Sequence, residues 1–422
     1  LAVNTGSGVT SVHASGDVAG TSGAGITAVA AQEVTFDSTS GVVSSCLPGA
    51  GLGLTVTADA RVTGASGGIF VSNYGTGATL VTASGGVAGE RGYGIHAVNG
   101  DDAGNLTVKA NAVSGGDTGI FAFNSGAYST EVTTNGDITA AREALHILNY
   151  GLNLTVNTQA KVSGGETGIY AGNIGSGSTS VTASGDVTGA DRYGIYAIND
   201  TIAKDLTVTA AKVSGGDSGL YVTNNGSGFT QVTASGDVTA TNDDGLHVST
   251  NGAGLAIKTD AKVSGGAYGI IAFNFGTDTT SVTAGGDVTG VSEDGIHINA
   301  SGTDLIVTTT KVSGGGDYGI YAGNTGTGTT RITATGDVTG AGSTGIYAFS
   351  DTATTGLIVQ AARTSGKDYG IYALNDGAGT TGVAVNGAVE GGTAGIALHG
   401  AAASTVTIAA GGEVRNALGS AA

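Results

Sequence analysis

The chain has 422 residues, among them 80 Gly, 1 Pro, 1 Cys, no Met and no Trp, with 40% hydrophobic and only 11% charged residues. So much glycine would leave a polar chain disordered, but apolar residues are spread evenly enough here for a long, thin core. A net charge of −18 argues against nucleic acid and anionic membrane as partners, because both call for Lys/Arg clusters, and the lone Cys46 rules out an internal disulfide framework.

The opening residues, "LAVNTGSGVTSVHASGDVAG", match the middle of a unit that recurs throughout, with Leu1 where other copies carry Tyr or Phe. The expectation is a chain that starts part-way through a repeat, a piece of a longer array. No stretch reads as a membrane-spanning helix or as a secretion signal. Next comes Gly25, the first of a series of glycines placed just ahead of an apolar residue. The interval from Gly25 to Gly68 is 43 residues. Its surplus falls in 31–50, an inserted loop with the only Pro and the only Cys, and insertions in repeat arrays often carry binding.

From Gly68 to Gly395 the marker recurs every 24, 25 or 26 residues, with Ala144 filling one slot. Neighbouring units alternate between two texts, so near-identical wording returns every 49–51 residues. Within a unit the apolar period is two. In "GIYAGN" (168–173) Ile169 and Ala171 alternate with Tyr170 and Gly172, and in "LTVTA" (206–210) Leu206, Val208 and Ala210 alternate with Thr207 and Thr209. Such runs between Gly/Asn/Asp/Ser turns are short half-buried strands. A unit of about 25 residues then holds roughly three strands and three turns, one coil of a parallel β-helix. The fold expected is all-β: a right-handed parallel β-helix, continuous over 1–422, with roughly 15 coils. At about 4.8 Å per coil it would run on the order of 70 Å. Glycine at the turns is expected to supply positive φ and close backbone approach.

Three columns follow from stacking the units. The first is Asn73, Asn99, Asn124, Asn149, Asn173, Asn199, Asn224, Asn274, Asn324 and Asn375, whose parity points inward and which can pass amide hydrogen bonds from coil to coil. A good turn residue would also explain it.

The second column faces outward: Phe70, His96, Phe121, His146, Tyr170, Tyr196, Tyr221, His247, Ile271, His297, Tyr321, Tyr347 and Tyr372. Beside it run Val98, Phe123, Leu148, Ile198, Phe273, Ile298, Phe349 and Leu374. A long aromatic stripe on a solvent face marks association, with glycans, protein ligands or another copy; cross-strand stacking that steadies the sheet is the plainer alternative. The nearest histidines in it lie two coils apart, roughly 9.6 Å, too far to share a metal ion. The third column is a turn ladder, Asp117, Arg142, Glu166, Arg192 and Asp217, which then breaks into Asp217 above Asp243 and Glu293 above Asp317. Paired carboxylates could hold Ca²⁺, but a solvated turn accounts for them and no metal or cofactor is expected.

The "GIYAGN" and "SVTASGDVTG" (180–189) units, the Gly/Thr/Val/Asn bias and the near absence of Cys and Pro resemble the passenger region of large Gram-negative autotransporter adhesins. The resemblance is one of repeat style and covers nearly the whole chain. It implies a bacterial cell-surface location and export through an outer-membrane barrel. The function expected is a non-enzymatic extracellular rod for surface adhesion or self-association. Its partners would be itself, by lateral association, or ligands on host and neighbouring cells, with no nucleic acid and no membrane contact. Two alternatives remain. A carbohydrate-active β-helix lyase or hydrolase needs converging carboxylates or a metal, where this chain puts Tyr, Phe and His. An ice-binding solenoid needs a regular Thr-x-Thr array, which Lys109, Asn157, Lys258 and Gln360 interrupt.

Overall fold

The structure, a computed structural model, describes residues 1–5, 7–31, 33–36, 43–47 and 53–416. Among these there is no helix. Each coil lays down three strands; in one, these are Thr167–Asn173, Thr179–Ala183 and Val187–Gly189. Strands from successive coils pair in parallel and in register, Ile169 on Ile195 and Tyr170 on Tyr196 in the first sheet, Val181 on Val208 in the second, Val162 on Val187 in the third. The result is a β-solenoid of three parallel sheets with 16 strands in each. The first coil is the chain ahead of Gly25, which gives a strand to every sheet, Ala2–Asn4, Thr10–Ala14 and Val18–Gly20. The chain divides into two compact units, Leu1–Ala211 and Lys212–Ala422.

Inward side chains form the core. Ile169, Ala171 and Val181 have no exposed surface, and Val187 has 1%. Burying one such aliphatic side chain contributes about 1.5–3 kcal/mol. The two alternating texts have a packing reason. The first inward slot of the second sheet holds Thr79, Leu106, Thr130, Leu154 and Thr179 on successive coils, and in the other unit Thr230, Leu255 and Thr280. All are buried. A large apolar residue in one coil thus sits between small ones, which fills the layer without overlap, and the small ones carry hydroxyls that the core puts to use.

The glycines are explained by crowding rather than by φ, which corrects half of the expectation. Among the described residues only Gly53 (φ 147°) and Gly411 (φ 86°) have positive φ. At Gly189 a Cβ would lie 1.9 Å from the Tyr193 carbonyl oxygen, and at Gly168 it would lie 2.6 Å from the Gly194 carbonyl oxygen. Backbone already occupies the space where a side chain would go.

The insertion carries a ladder of its own. Glu33–Phe36 and Val43–Leu47 pair antiparallel, with Val34 opposite Cys46 and an irregularity at Thr35/Phe36. The rest of the 31–50 loop, including Pro48, lies largely outside the described residues.

Candidate functional site

The outer face of the first sheet carries the aromatic column. In-register pairing forces each ring to sit over the next, about 4.8 Å along the ladder. In the 1–211 unit the centroids of Phe70 and His96 are 5.0 Å apart, His96 and Phe121 5.0 Å, Phe121 and His146 5.2 Å, and His146 and Tyr170 4.7 Å. Tyr170 then meets Tyr196 edge-on, at 5.1 Å and 82°. In the 212–422 unit Tyr221 stacks on His247 at 4.4 Å and His297 on Tyr321 at 4.4 Å, and Tyr321, Tyr347 and Tyr372 continue at 5.4 and 5.3 Å with planes 3° apart. Where rings stack, their faces cover one another, and each leaves an edge to solvent.

One apolar member of the outward stripe is covered, and another faces inward. Ile271 keeps its register between His247 and His297 but is only 7% exposed, and Phe273 reaches beside it to within 6.1 Å of His247 and 6.3 Å of His297. Ile298 is fully buried and pairs with Ala272 and Ala322 in the inward row, while Asn299 takes the outward slot next to Phe273. Ile298 directly follows the outward His297, and a step of one residue carries a side chain to the opposite face of a strand.

Three histidines of the stripe have carboxylate partners that sequence reading missed. His146 Nδ1 lies 2.5 Å from Glu143, His247 Nδ1 2.9 Å from Asp244, and His297 Nδ1 2.8 Å from Asp294. Asp244 and Asp294 are buried at 9% and 4% exposure. Their second oxygens accept the backbone N–H of Tyr268 and Tyr318 on the next coil. The Asn299 amide donates to His297 Nε2, so that imidazole carries its proton on Nδ1 and donates it to Asp294. Burial pushes the Glu143 carboxyl up, but the His146 hydrogen bond and the His146, Arg142 and Arg192 charges hold it below its usual value. The signal was an acid three residues before His, "EALH", "DGLH" and "DGIH".

His96 differs. Tyr93 stands where the acid would be, with its ring 4.7 Å from the imidazole. His96 Nδ1 is buried without a hydrogen bond, and burial pulls its pKa down to about 4. The slot of Tyr93 holds tyrosines elsewhere that sequence reading also passed over: Tyr193 lies 5.1 Å from Tyr196, Tyr318 5.5 Å from Tyr321, and Tyr369 5.1 Å from Tyr372. "YGI" at the start of the strand was their mark.

All ten asparagines of the inward column are fully buried. Direct amide-to-amide bonds link three consecutive coils, Asn124 Nδ2 donating to Asn149 Oδ1 at 3.1 Å and Asn149 Nδ2 to Asn173 Oδ1 at 2.9 Å. Elsewhere the side chain mostly serves its own turn. Asn73 donates to the Gly77 carbonyl and accepts from the Gly75 N–H, and Asn375 does the same with Gly379 and Gly377. The small residues of the alternating texts complete the set, Thr79, Thr130 and Thr179 donating to Asn99, Asn149 and Asn199 on the following coil. Where Asn is missing ahead of Asn375, the column holds Ala30, Thr250, Ala300 and Ser350; Thr250 accepts from the Gly252 N–H, and Ser350 bonds Thr330.

The turn ladder extends over two rungs. Arg142 lies 3.6 Å from Asp117 and 3.1 Å from Glu166, whereas the Arg192 guanidinium sits 5.1 Å over the Tyr193 ring. In the other unit burial, then the charges of Asp244 and Asp217, raise the Asp243 carboxyl. Among the described residues no group of three or more His, Cys, Asp or Glu could hold a metal ion. One turn contact recurs on separate pairs of coils: Asp17, Asp137 and Asp237 accept the backbone N–H of Arg61, Lys161 and Lys262 on the next coil, each at 3.1 Å.

These features define a repeat protein, a parallel β-solenoid whose side-chain chemistry is arrayed along its sheets and turns. No family model, no curated protein and no solved structure matches the chain.

Proposed function

We propose that this chain is a non-enzymatic solenoid of the bacterial cell surface that mediates adhesion or self-association, in the manner of an autotransporter passenger region. One observation supports this above the rest: twelve of the sixteen coils place an aromatic or imidazole ring at the same outward position of the first sheet. A sheet needs no such uniformity on its wet face, where β-propensity and solubility would be met by Thr and Ser. Apolar side chains on the adjoining turns widen the patch. Tyr128, Tyr150 and Leu152 are 51%, 45% and 47% exposed, and Phe123 lies 5.5 Å from Tyr150. Aromatic rings with polar edges are the side chains favoured at recognition surfaces.

The test is Tyr170→Ser combined with Tyr196→Ser, measured as cell binding and as sedimentation of the purified chain. Loss of binding or association with the β-sheet spectrum retained supports the reading. Unchanged association would make the stripe a purely structural stack.

A further inference from the structure

Side chains that are easily oxidised are almost restricted to one type. The chain has no Met, no Trp and a single Cys, but 14 Tyr. Five of the tyrosines form one contiguous group in the 212–422 unit. Tyr321 lies 5.4 Å from Tyr347 and Tyr347 lies 5.3 Å from Tyr372, each pair 3° from parallel. Tyr318 lies 5.2 Å from Tyr347, and Tyr369 lies 5.1 Å from Tyr372. Backbone register pins the central three, Tyr321 on Tyr347 and Tyr347 on Tyr372. The rings therefore cannot drift apart without breaking the sheet.

We propose that Tyr321, Tyr347 and Tyr372 form an oxidative cross-linking site, at which a peroxide, acting through a haem peroxidase as one-electron oxidant, joins two successive coils by a carbon–carbon bond between tyrosine rings. Two phenols each give up one electron and the hydroxyl proton. The two phenoxyl radicals couple at the ring carbons next to the oxygens, and the two displaced ring hydrogens return through water to those oxygens, restoring both phenols. The two electrons and two protons reduce one peroxide to two waters.

Coupling normally requires two scarce radicals to meet. Here the second phenol is already in contact, which turns an encounter between molecules into a step within one. A hole formed on any of the five rings can pass to its stacked neighbours, so both radicals are held within the group. Other tyrosines offer a contrast: the exposed Tyr150 packs against Phe123, which cannot form a phenoxyl radical, and the half-buried Tyr170 and Tyr196 meet at 82° rather than face to face. A bond between Tyr321 and Tyr347 would staple neighbouring coils in a chain whose single cysteine cannot form an internal disulfide.

The proposal is independent of the adhesion reading and is tested apart from it. The full chain is treated with haem peroxidase and limiting hydrogen peroxide, and the products are followed by dityrosine fluorescence and by mass spectrometry of linked peptides. The expected product is an intramolecular link, Tyr321 to Tyr347 or Tyr347 to Tyr372, whose yield does not change on dilution. Tyr347→Phe keeps a ring in the stack and should abolish both links. Should that variant fail to fold, Tyr321→Phe with Tyr372→Phe removes the same links from the two sides. Links dominated by Tyr128 or Tyr150, a yield that falls with dilution, or signal unchanged in the folded variant would overturn the proposal.

Discussion

Substituting His96 by Phe should remove a specific loss of stability in mild acid. The imidazole is held between the rings of Phe70 and Phe121 at 5.0 Å on either side, with Tyr93 at 4.7 Å, and its pKa is lowered from 6.5 to about 4. Above pH 6.5 the ring is neutral in both folded and unfolded chains and the two states are balanced. As pH falls, the unfolded chain takes up the proton first, so stability is lost progressively from about pH 6.5 and levels off below about pH 4. At pH 4.5 the loss amounts to about 2.5 kcal/mol at 1.36 kcal/mol per pKa unit. An imidazolium between two benzene faces recovers about 0.5–1 kcal/mol of cation–π attraction, so about 2 kcal/mol should remain. A stack of coils need not unfold in one step, so the readout should be local: amide exchange across Ile95–Asn99, compared between wild type and His96→Phe at pH 7 and pH 4.5, beside an NMR titration of the ring. Phe is expected to flatten the pH dependence of this strand alone. A His96 titration near 6.5, or the same acid slope in the variant, would refute the argument.

Asn149→Ala breaks the three-coil amide chain, leaving Asn124 only its Tyr128 carbonyl acceptor and taking the Asn149 acceptor from Thr130, so a cost of about 2–3 kcal/mol is expected, read as faster exchange in the neighbouring turns. Thr158→Val acts in the opposite sense, because the Thr158 hydroxyl is buried without a partner; a gain of about 1 kcal/mol in a denaturant titration is expected. Gly189→Ala drives a methyl into the Tyr193 carbonyl and should cost at least about 1–3 kcal/mol, with a structure showing the turn displaced; an unperturbed turn would contradict the crowding explanation. Arg142→Ala, by contrast, removes ion pairs at a side chain 54% exposed and should shift stability by no more than about 1 kcal/mol, less at high salt.

Much of the fold was legible in the sequence because both of its periods are expressed residue by residue. The 24–26-residue recurrence of the marker glycine sets the coil, and the alternation of Ile169 and Ala171 with Tyr170 sets which face is inward. In-register stacking then places every copy of a slot in one column, so the asparagine and aromatic columns could be written down before any coordinates. Ile298 does not belong to the outward stripe, and the sequence says so: in "IHINA" the alternation that sends His297 outward sends Ile298 inward, where it pairs with Ala272.

Other features could not be read because they depend on what a neighbouring coil places opposite a group. The acid in "DGIH" offers its histidine a carboxylate that "YGIH" lacks, but neither text states that the first histidine's Nδ1 is closed in without a hydrogen-bond partner or that the second one's carboxylate is held in place. Three-dimensional stacking makes that distinction, since Phe70 and Phe121 enclose His96 while Asp294 is positioned to hold both its own histidine and the Tyr318 backbone. The same holds for the glycines, whose necessity comes from backbone of the same turn and the adjoining coil rather than from their own dihedral preference. The amino-acid sequence by itself determined the coil, the inward face and the alignment of its columns, because these follow from periodicity along one strand. Which members of a column touch, and at what angle, was decided only by tertiary structure, because side-chain contacts between coils depend on residues some 25 positions away that no local pattern encodes.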